Sequence, residues 1–290
     1  MTLALPLQDT CAHLQLDAAQ FKSAFPRQPF LVTHALHGQP LFALENLVAL
    51  AKRLPPGKVE YNAGTLDIDM HDKLTPQTGL SVEETIRRIE SCRSWMVLKN
   101  VETDPTYRAL LDACLSEVGN LSESLTPGMR RHEGYIFISS PRSRTPYHMD
   151  GEHNFLLQLT GSKTVHIWDS ADRSLLTEPE IEAHYTGAHR NLSYQDAFAA
   201  KSQVFELTPG LGLHFPVNAP HWVQNGPEVS VSFSITFRTP AIDKRALLYF
   251  ANGRLRAWGF KPTPVGQSTV RDALLHNAVR GLRRLGSFRP

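Results

Sequence analysis

The sequence predicts a mainly β protein, in which a β-sandwich or β-barrel core carries helical additions at both ends. The first observation is a run of short strand-like segments between about residues 134 and 238, punctuated by Gly and Pro, which is typical of sandwiches and barrels. The second is apolar spacing typical of helices on either side of this run. The strand-like segments read "GYIFISS", "NFLLQLTG", "KTVHIWD", "VFELTPG", "LGLHFP" and "VSVSFSITF".

The first 130 residues predict a mixed α/β elaboration that packs on this core. "RQPFLVTHAL", "KVEYNAGTLDIDM" and "SWMVLKNV" have the pattern of strands, and "LFALENLVALAKRL" has apolar residues at helical spacing. Ser81 with Glu84 three residues later forms a capping-box pattern, which predicts a helix start. Asp104 followed by Pro105 predicts another.

The region 241–290 contains two helical patterns, "AIDKRALLYFAN" and "STVRDALLHNAVRGLRRL". We therefore divide the chain into an elaboration at 1–130, a core at 131–240 and a helical region at 241–290. The last region holds ten Lys or Arg and two acids, a formal charge of +8, against twenty bases and twenty-six acids, or −6, before it. Such a basic region fits a solvated helix face or an oligomer contact, here a homodimer, better than a nucleic-acid surface.

Composition indicates a globular protein of the cytoplasm. With 290 residues, 41% of them hydrophobic, the chain can bury a substantial core. No apolar run is long enough for a membrane span, and the N-terminus lacks the pattern of a signal peptide. Cys11, Cys92 and Cys114 are scattered and odd in number, which favours free thiols in a reducing compartment.

The segment "RTPYHMDGEHNFLLQLTGSK" carries the most specific chemical signal. Side chains two residues apart on an extended segment share a face, so His148 and Asp150 can present an imidazole and a carboxylate to one metal ion. Asn154 lies on the polar face of the next strand. Lys163 follows the Gly161 turn among apolar neighbours, where a buried ammonium needs an anionic partner unless its stem reaches solvent.

A third metal ligand is expected from "ELTPGLGLHFPVNAPHWVQNG". Pro216 and Pro220 restrict the backbone before His221, which suits a histidine held in one orientation. His214 is the competing candidate. Two histidines and one carboxylate on one side of a metal form the facial triad of non-haem Fe(II) oxygenases.

With these residues in place, the sequence resembles the Jumonji C or cupin-8 family of Fe(II)- and 2-oxoglutarate-dependent oxygenases, and within it the protein asparaginyl hydroxylases. The resemblance rests on the spacing of Thr145, His148, Asp150, Asn154 and Lys163, together with the segment "PVNAPHWV". It covers most of residues 25–240. It implies a double-stranded β-helix, also called a jelly roll or cupin fold.

The resemblance also implies cofactors and roles. His148, Asp150 and His221 would bind Fe(II), and 2-oxoglutarate would chelate the metal. Lys163 and Thr145 would bind the distal carboxylate of 2-oxoglutarate. Asn154 would lie near its chelating end, and Tyr135 would add a phenol to the distal carboxylate. The implied activity is hydroxylation of an unactivated C–H bond, with release of succinate and CO2.

Other functions stay open from the sequence. The substrate is a peptide or protein side chain or a small metabolite, and demethylation of an N-methyl group is the same chemistry. A metal-binding cupin that acts as a sensor without 2-oxoglutarate turnover is the alternative from another class. The polar segment 170–201 is expected to act as a substrate lid or to be an inert excursion.

Overall fold

The computed structural model of the protein describes residues 12–64, 67–69 and 79–284. Two antiparallel β-sheets of eight and four strands dominate it, which confirms the mainly β prediction. The strands are β1 Leu14–Gln15, β2 Phe30–His34, β3 Val59–Ala63, β4 Ser94–Lys99, β5 Arg130–Ser139, β6 Arg144–His148, β7 His153–Thr160, β8 Lys163–Ile167, β9 Gln203–Leu207, β10 Leu211–Phe215, β11 His221–Asn225 and β12 Ser230–Arg238.

Helices lie before, within and after the strand-rich region. They are α1 Ala18–Ala24, α2 Leu44–Arg53, α3 Val82–Arg87, α4 Pro105–Ser122, α5 Glu178–Tyr185, α6 Pro240–Ala257 and α7 Thr269–Arg284. The predicted helix starts are confirmed, because Ser81 and Glu84 form a capping box and the Asp104 side chain caps α4 at Pro105. No helix in the described part of the chain is long and apolar enough to span a membrane.

The strands β5 to β12 form a jelly roll, with four strands in each sheet. The larger sheet has the order β1-β2-β10-β7-β12-β5-β4-β3, and the smaller has the order β6-β11-β8-β9. Strands β1 to β4 extend the larger sheet at both edges, so the region before residue 131 continues the core sheet. The division into three regions stays a prediction.

Period-two alternation sorts the larger sheet into two faces. The outer face carries apolar side chains such as Phe155, Leu157 and Phe233, which pack with residues of α1, α2 and α4 in the main hydrophobic core. The inner face, toward the smaller sheet, carries amides and hydroxyls. Ser234 donates a 2.7 Å hydrogen bond to Asn154, and Ser232 donates one of 2.6 Å to Gln158.

The Gly161 turn fixes the register between β7 and β8. Its φ of +66° lies in the left-handed region, and an added Cβ would come within 2.3 Å of the Val229 carbonyl oxygen. Only glycine fits such a position. The turn therefore brings Lys163 into the space between the sheets, where it is 4% exposed.

The segment between β8 and β9 covers the outer face of the smaller sheet. Leu176, Ile181 and Leu192 of this segment pack with Tyr147 and Met149 of the β6 region in a second hydrophobic cluster. Its role as a lid stays a prediction.

The described cysteines, Cys92 and Cys114, are unpaired thiols. Cys11 lies outside the described residues.

Candidate metal centre and its cavity

Three of the predicted ligands converge at one end of the jelly roll. The Nε2 atoms of His148 and His221 lie 3.7 and 3.6 Å from Oδ2 of Asp150. The three ligand atoms lie within 4.8 Å of one another. Ligand atoms at about 2.1 Å from one metal are roughly 3.0–3.6 Å apart for angles of about 90–120°, so a single ion fits between them.

Strand pairing brings the two distant histidines together. β11 pairs antiparallel with β6, and His221 lies directly opposite His148. Opposite residues in such a pair have neighbouring side chains, and the two imidazole centroids are 4.1 Å apart. Asp150 follows β6 at the sheet's end, where its main-chain carbonyl accepts a 2.8 Å hydrogen bond from the Asn218 amide.

Both imidazoles are held in one orientation by the backbone. Nδ1 of His148 is 2.7 Å from the Pro146 carbonyl oxygen, and Nδ1 of His221 is 2.9 Å from that of Ala219. A carbonyl only accepts, so each Nδ1 carries the proton and each Nε2 presents a lone pair. Burial also lowers the pKa of both histidines, which keeps them neutral.

Asp150 is held as a carboxylate. Burial by itself would raise its pKa, but the charge and the hydrogen bond of the Arg190 guanidinium favour the carboxylate, and the pKa lies well below its usual range. Nη1 of Arg190 donates a 3.0 Å hydrogen bond to Oδ1 of Asp150. The other oxygen, Oδ2, faces the histidines.

The donor set fits an oxygenase iron. Two neutral imidazoles and one carboxylate on one side of the ion make up the facial triad, which leaves the remaining positions for other ligands. The hydrogen-bonded Nδ1 atoms are the outer support that metal-binding histidines have in proteins.

A cavity between the two sheets is bordered by these ligands and by Lys163. No described residue accepts a hydrogen bond from the Lys163 ammonium or pairs with it, and burial lowers its pKa to about 7. A buried ammonium without a partner is costly. The ligand that fits this end of the cavity is therefore an anion.

Other polar groups line the same cavity. Thr145, on β6, and Asn154, on β7, both border it. Asn225 lies opposite Lys163 in the β11–β8 pair, and its Oδ1 atom is buried and accepts no hydrogen bond from the described residues. An orphaned acceptor beside an unpaired donor indicates space for a polar ligand.

Tyr135 is placed differently from the other predicted site residues. Its hydroxyl donates a 2.5 Å hydrogen bond to Glu133 on the same strand, and it is not among the residues that border the cavity. Phe137 and Ser139, two and four residues further along the same face of β5, do border it. The role of Tyr135 stays a prediction.

The alternative ligand His214 lies away from the metal centre. Its Nδ1 atom is 3.1 Å from the Gln28 carbonyl oxygen, and its ring packs against Phe25, Phe30 and Phe155. Burial lowers its pKa to about 3. This histidine belongs to the hydrophobic core.

Sequence reasoning missed several residues that border the cavity. Trp95, Phe137, Ser139 and Phe215 contribute its walls, and Arg190 lies at its metal end. Strand parity with Tyr135 could have identified Phe137 and Ser139. No sequence signal distinguishes Arg190 from the other polar residues of its long segment.

Comparisons with known proteins identify the fold. A scan against models of protein families gives no match, and a search of curated proteins gives none either. A structure of YcfD from Escherichia coli aligns with a TM-score of 0.52 at 15% identity, over 96% of this chain and 69% of that one.

A second YcfD structure from Escherichia coli, described as a ribosomal oxygenase in complex with cobalt and 2-oxoglutarate, aligns with a TM-score of 0.51 at 14% identity. It covers 96% of this chain and 68% of that one. The fold predicted from the family resemblance is confirmed: this chain has the jelly-roll fold of these oxygenases.

Proposed function

We propose that the protein is an Fe(II)- and 2-oxoglutarate-dependent dioxygenase that hydroxylates an unactivated C–H bond of a protein side chain. One observation carries the proposal. His148, Asp150 and His221 border the same cavity as the unpaired ammonium of Lys163. A metal site by itself needs no buried cation. A dicarboxylate that chelates the metal needs the metal at one end and a cation for its distal carboxylate at the other.

The residues of the chain divide the work of binding. The two histidines and Asp150 would hold the iron, while Lys163 and Thr145 would bind the distal carboxylate of 2-oxoglutarate by charge-assisted hydrogen bonding. When bound, iron and 2-oxoglutarate supply the oxidising chemistry, with succinate and CO2 as co-products.

The walls of the cavity would protect this chemistry from water. Leu156, Phe215 and Val223 contribute apolar surface to the cavity that the metal ligands and Lys163 border. Excluding water strengthens the electrostatic interactions within the site and limits side reactions. The proposal therefore needs the apolar walls as well as the polar groups.

A protein substrate is inferred from the similar structure in complex with cobalt and 2-oxoglutarate, since that YcfD protein is described as a ribosomal oxygenase. The polar segment between β8 and β9 would contact the substrate, because it places Arg190 at the metal end of the cavity. The apolar side chains that pack this segment against the β6 region would hold that contact in a fixed position relative to the metal ligands.

The test is succinate formation from 2-oxoglutarate with Fe(II), with mass spectrometry of ribosomal proteins for a gain of one oxygen atom. The wild-type protein should form succinate, and Asp150→Ala should not. Saturable binding of Co(II) and 2-oxoglutarate without turnover on any protein or small molecule would instead identify a sensor. Release of formaldehyde would identify a demethylase.

We also infer a cytoplasmic homodimer that forms through the C-terminal helices. Val270 and Leu274 on α7 are 70% and 68% exposed, and Trp258 and Phe260 after α6 are both 61% exposed. Clusters of exposed apolar side chains mark contact surfaces. Light scattering of the wild type and of Leu274→Glu tests this inference, since the variant should be monomeric.

A further inference from the structure

Arg190 stands out among the residues around the metal centre, because it comes from the segment between β8 and β9 and not from the jelly roll. Its Nη1 atom is 3.0 Å from Oδ1 of Asp150. The Arg190 side chain is 35% exposed and that of Asp150 is 18% exposed. This ion pair is therefore partly shielded from water.

Main-chain hydrogen bonds fix the position of Arg190. The Met149 amide donates to the Arg190 carbonyl oxygen at 3.2 Å, and the Leu192 amide donates to that of Tyr147 at 2.9 Å. Residues 190–192 thus lie antiparallel to the end of β6, and Asn191 forms a bridge with His148. The segment is in register with the strand that supplies His148 and leads directly into Asp150.

This arrangement gives the two oxygens of Asp150 different tasks. Oδ2 faces both histidine Nε2 atoms, at 3.7 and 3.6 Å, while Oδ1 accepts the hydrogen bond from Arg190. To bind a metal through both oxygens, the carboxylate would have to rotate and lose that hydrogen bond. A charge-assisted hydrogen bond of this kind is among the strong ones.

The number of coordination positions on the metal explains why it matters that Asp150 binds through one oxygen. An octahedral ion with three single-atom protein ligands keeps three positions, of which a chelating 2-oxo acid takes two. A carboxylate that bound through both oxygens would use the last one. With a metal bound, the hydrogen bond from Arg190 to Oδ1 would therefore keep that last position free.

We propose that Arg190 is a positioning residue that keeps Asp150 bound to the metal through one oxygen, and that the segment between β8 and β9 serves to deliver it. This inference rests on the proposed function, because it assumes a metal at the three ligands. It assigns the segment a task at the metal centre in addition to any contact with substrate.

The experiment compares Co(II) binding by the wild type, Arg190→Gln and Arg190→Lys. Arg173→Gln is the matched control, because Arg173 lies in the same segment but pairs with Glu178 at 2.6 Å. Co(II) affinity is measured by titration calorimetry, and Co(II) coordination by visible absorption with and without 2-oxoglutarate.

Loss of an outer-shell partner typically costs about 10–100-fold in metal affinity, and we expect a loss of this size for Arg190→Gln. Its absorption spectrum should also change toward a higher coordination number. Arg190→Lys should recover part of the affinity, since it keeps one charged donor. Arg173→Gln should match the wild type in both measurements.

Wild-type affinity and an unchanged spectrum in Arg190→Gln would overturn the inference. An equal loss in Arg173→Gln would overturn it as well, because the effect would then belong to the segment as a whole. Failure of the proposed function looks different: the wild-type protein itself would bind no Co(II).

Discussion

Two pairs of buried histidines lie in the jelly roll, and they differ in what their ring nitrogens face. His148 and His221 have ring centroids 4.1 Å apart, and His153 and His214 have centroids 5.5 Å apart. All four are at most 4% exposed. Burial lowers the pKa of each of them. Burial and a lowered pKa therefore do not distinguish a metal centre from a hydrophobic core.

The directions of the nitrogen lone pairs do distinguish the two pairs. In the first pair, both Nδ1 atoms are bonded to backbone carbonyls, and both Nε2 atoms face Asp150. In the second pair, Nε2 of His214 lies 3.3 Å from Nδ1 of His153, so the two rings satisfy each other. Phenylalanine rings surround that pair, and no carboxylate faces it among the described contacts.

The largest expected effect is on metal binding. His148→Ala and Asp150→Ala should lose Co(II) affinity by more than the roughly 100-fold that outer-shell changes cost. His214→Ala should bind Co(II) within about twofold of the wild type, because distant sites act independently. Titration calorimetry measures all three variants. Loss of Co(II) binding in His214→Ala, with the fold retained by circular dichroism, would contradict the comparison.

The next effect concerns the cation at the other end of the cavity. Lys163→Met should weaken 2-oxoglutarate binding by about 2–4 kcal/mol, or roughly 30- to 1000-fold, because it removes a buried charge partner. The same variant should raise the free energy of unfolding of the ligand-free protein at pH 6 by a few kcal/mol, since the unpaired ammonium is costly. Calorimetry and urea unfolding measure the two quantities.

Lys201→Met is the control for this variant, because Lys201 is 52% exposed and pairs with Asp172 on the surface. It should change neither quantity by more than about 0.5 kcal/mol. If Lys163→Met binds 2-oxoglutarate as tightly as the wild type, Lys163 does not bind the distal carboxylate, and that part of the proposal is wrong.

The pH dependence of 2-oxoglutarate binding follows from the same lysine. Burial lowers the pKa of Lys163 in the free protein to about 7, and a bound carboxylate raises it again. Below pH 7 the ammonium is already present. Above pH 7 binding takes up a proton, so affinity should fall by up to about tenfold per pH unit. Calorimetry between pH 6 and pH 9, in buffers of different ionisation enthalpy, measures this proton uptake, and its absence would contradict the prediction.

The smallest expected effect is on acid stability, and it comes from the second histidine pair, His153 and His214, which we call the core pair. The pKa of His214 is about 3 in the folded protein against about 6.5 in the unfolded chain, so its contribution to stability is fully present above pH 6.5 and falls as the pH drops toward 3. His214→Phe removes this contribution.

The stability lost between pH 7 and pH 5 should therefore be smaller in His214→Phe by about 2 kcal/mol. Urea unfolding at the two pH values measures it. His37→Phe is a suitable control, because His37 is exposed at the surface. Equal acid sensitivity of the wild type and His214→Phe would show that the core pair does not control acid stability.

Local patterns determined much of this protein in advance. Period-two alternation identified the strands and separated the apolar face with Phe155 from the polar face with Asn154. The capping residues Ser81 and Asp104 identified helix starts. These signals are readable because strand pleating and helix capping act over a few residues.

The tertiary structure decided which residues that are distant in the sequence come into contact. The sequence left His214 and His221 as alternatives, and the pairing of β11 with β6 places His221 opposite His148. Tyr135 and Phe137 share a face, and only their distance along β5 decides which borders the cavity. Arg190 reaches Asp150 across forty residues because backbone pairing docks its segment on β6. Contacts of this range depend on strand register and loop path, which no short pattern encodes.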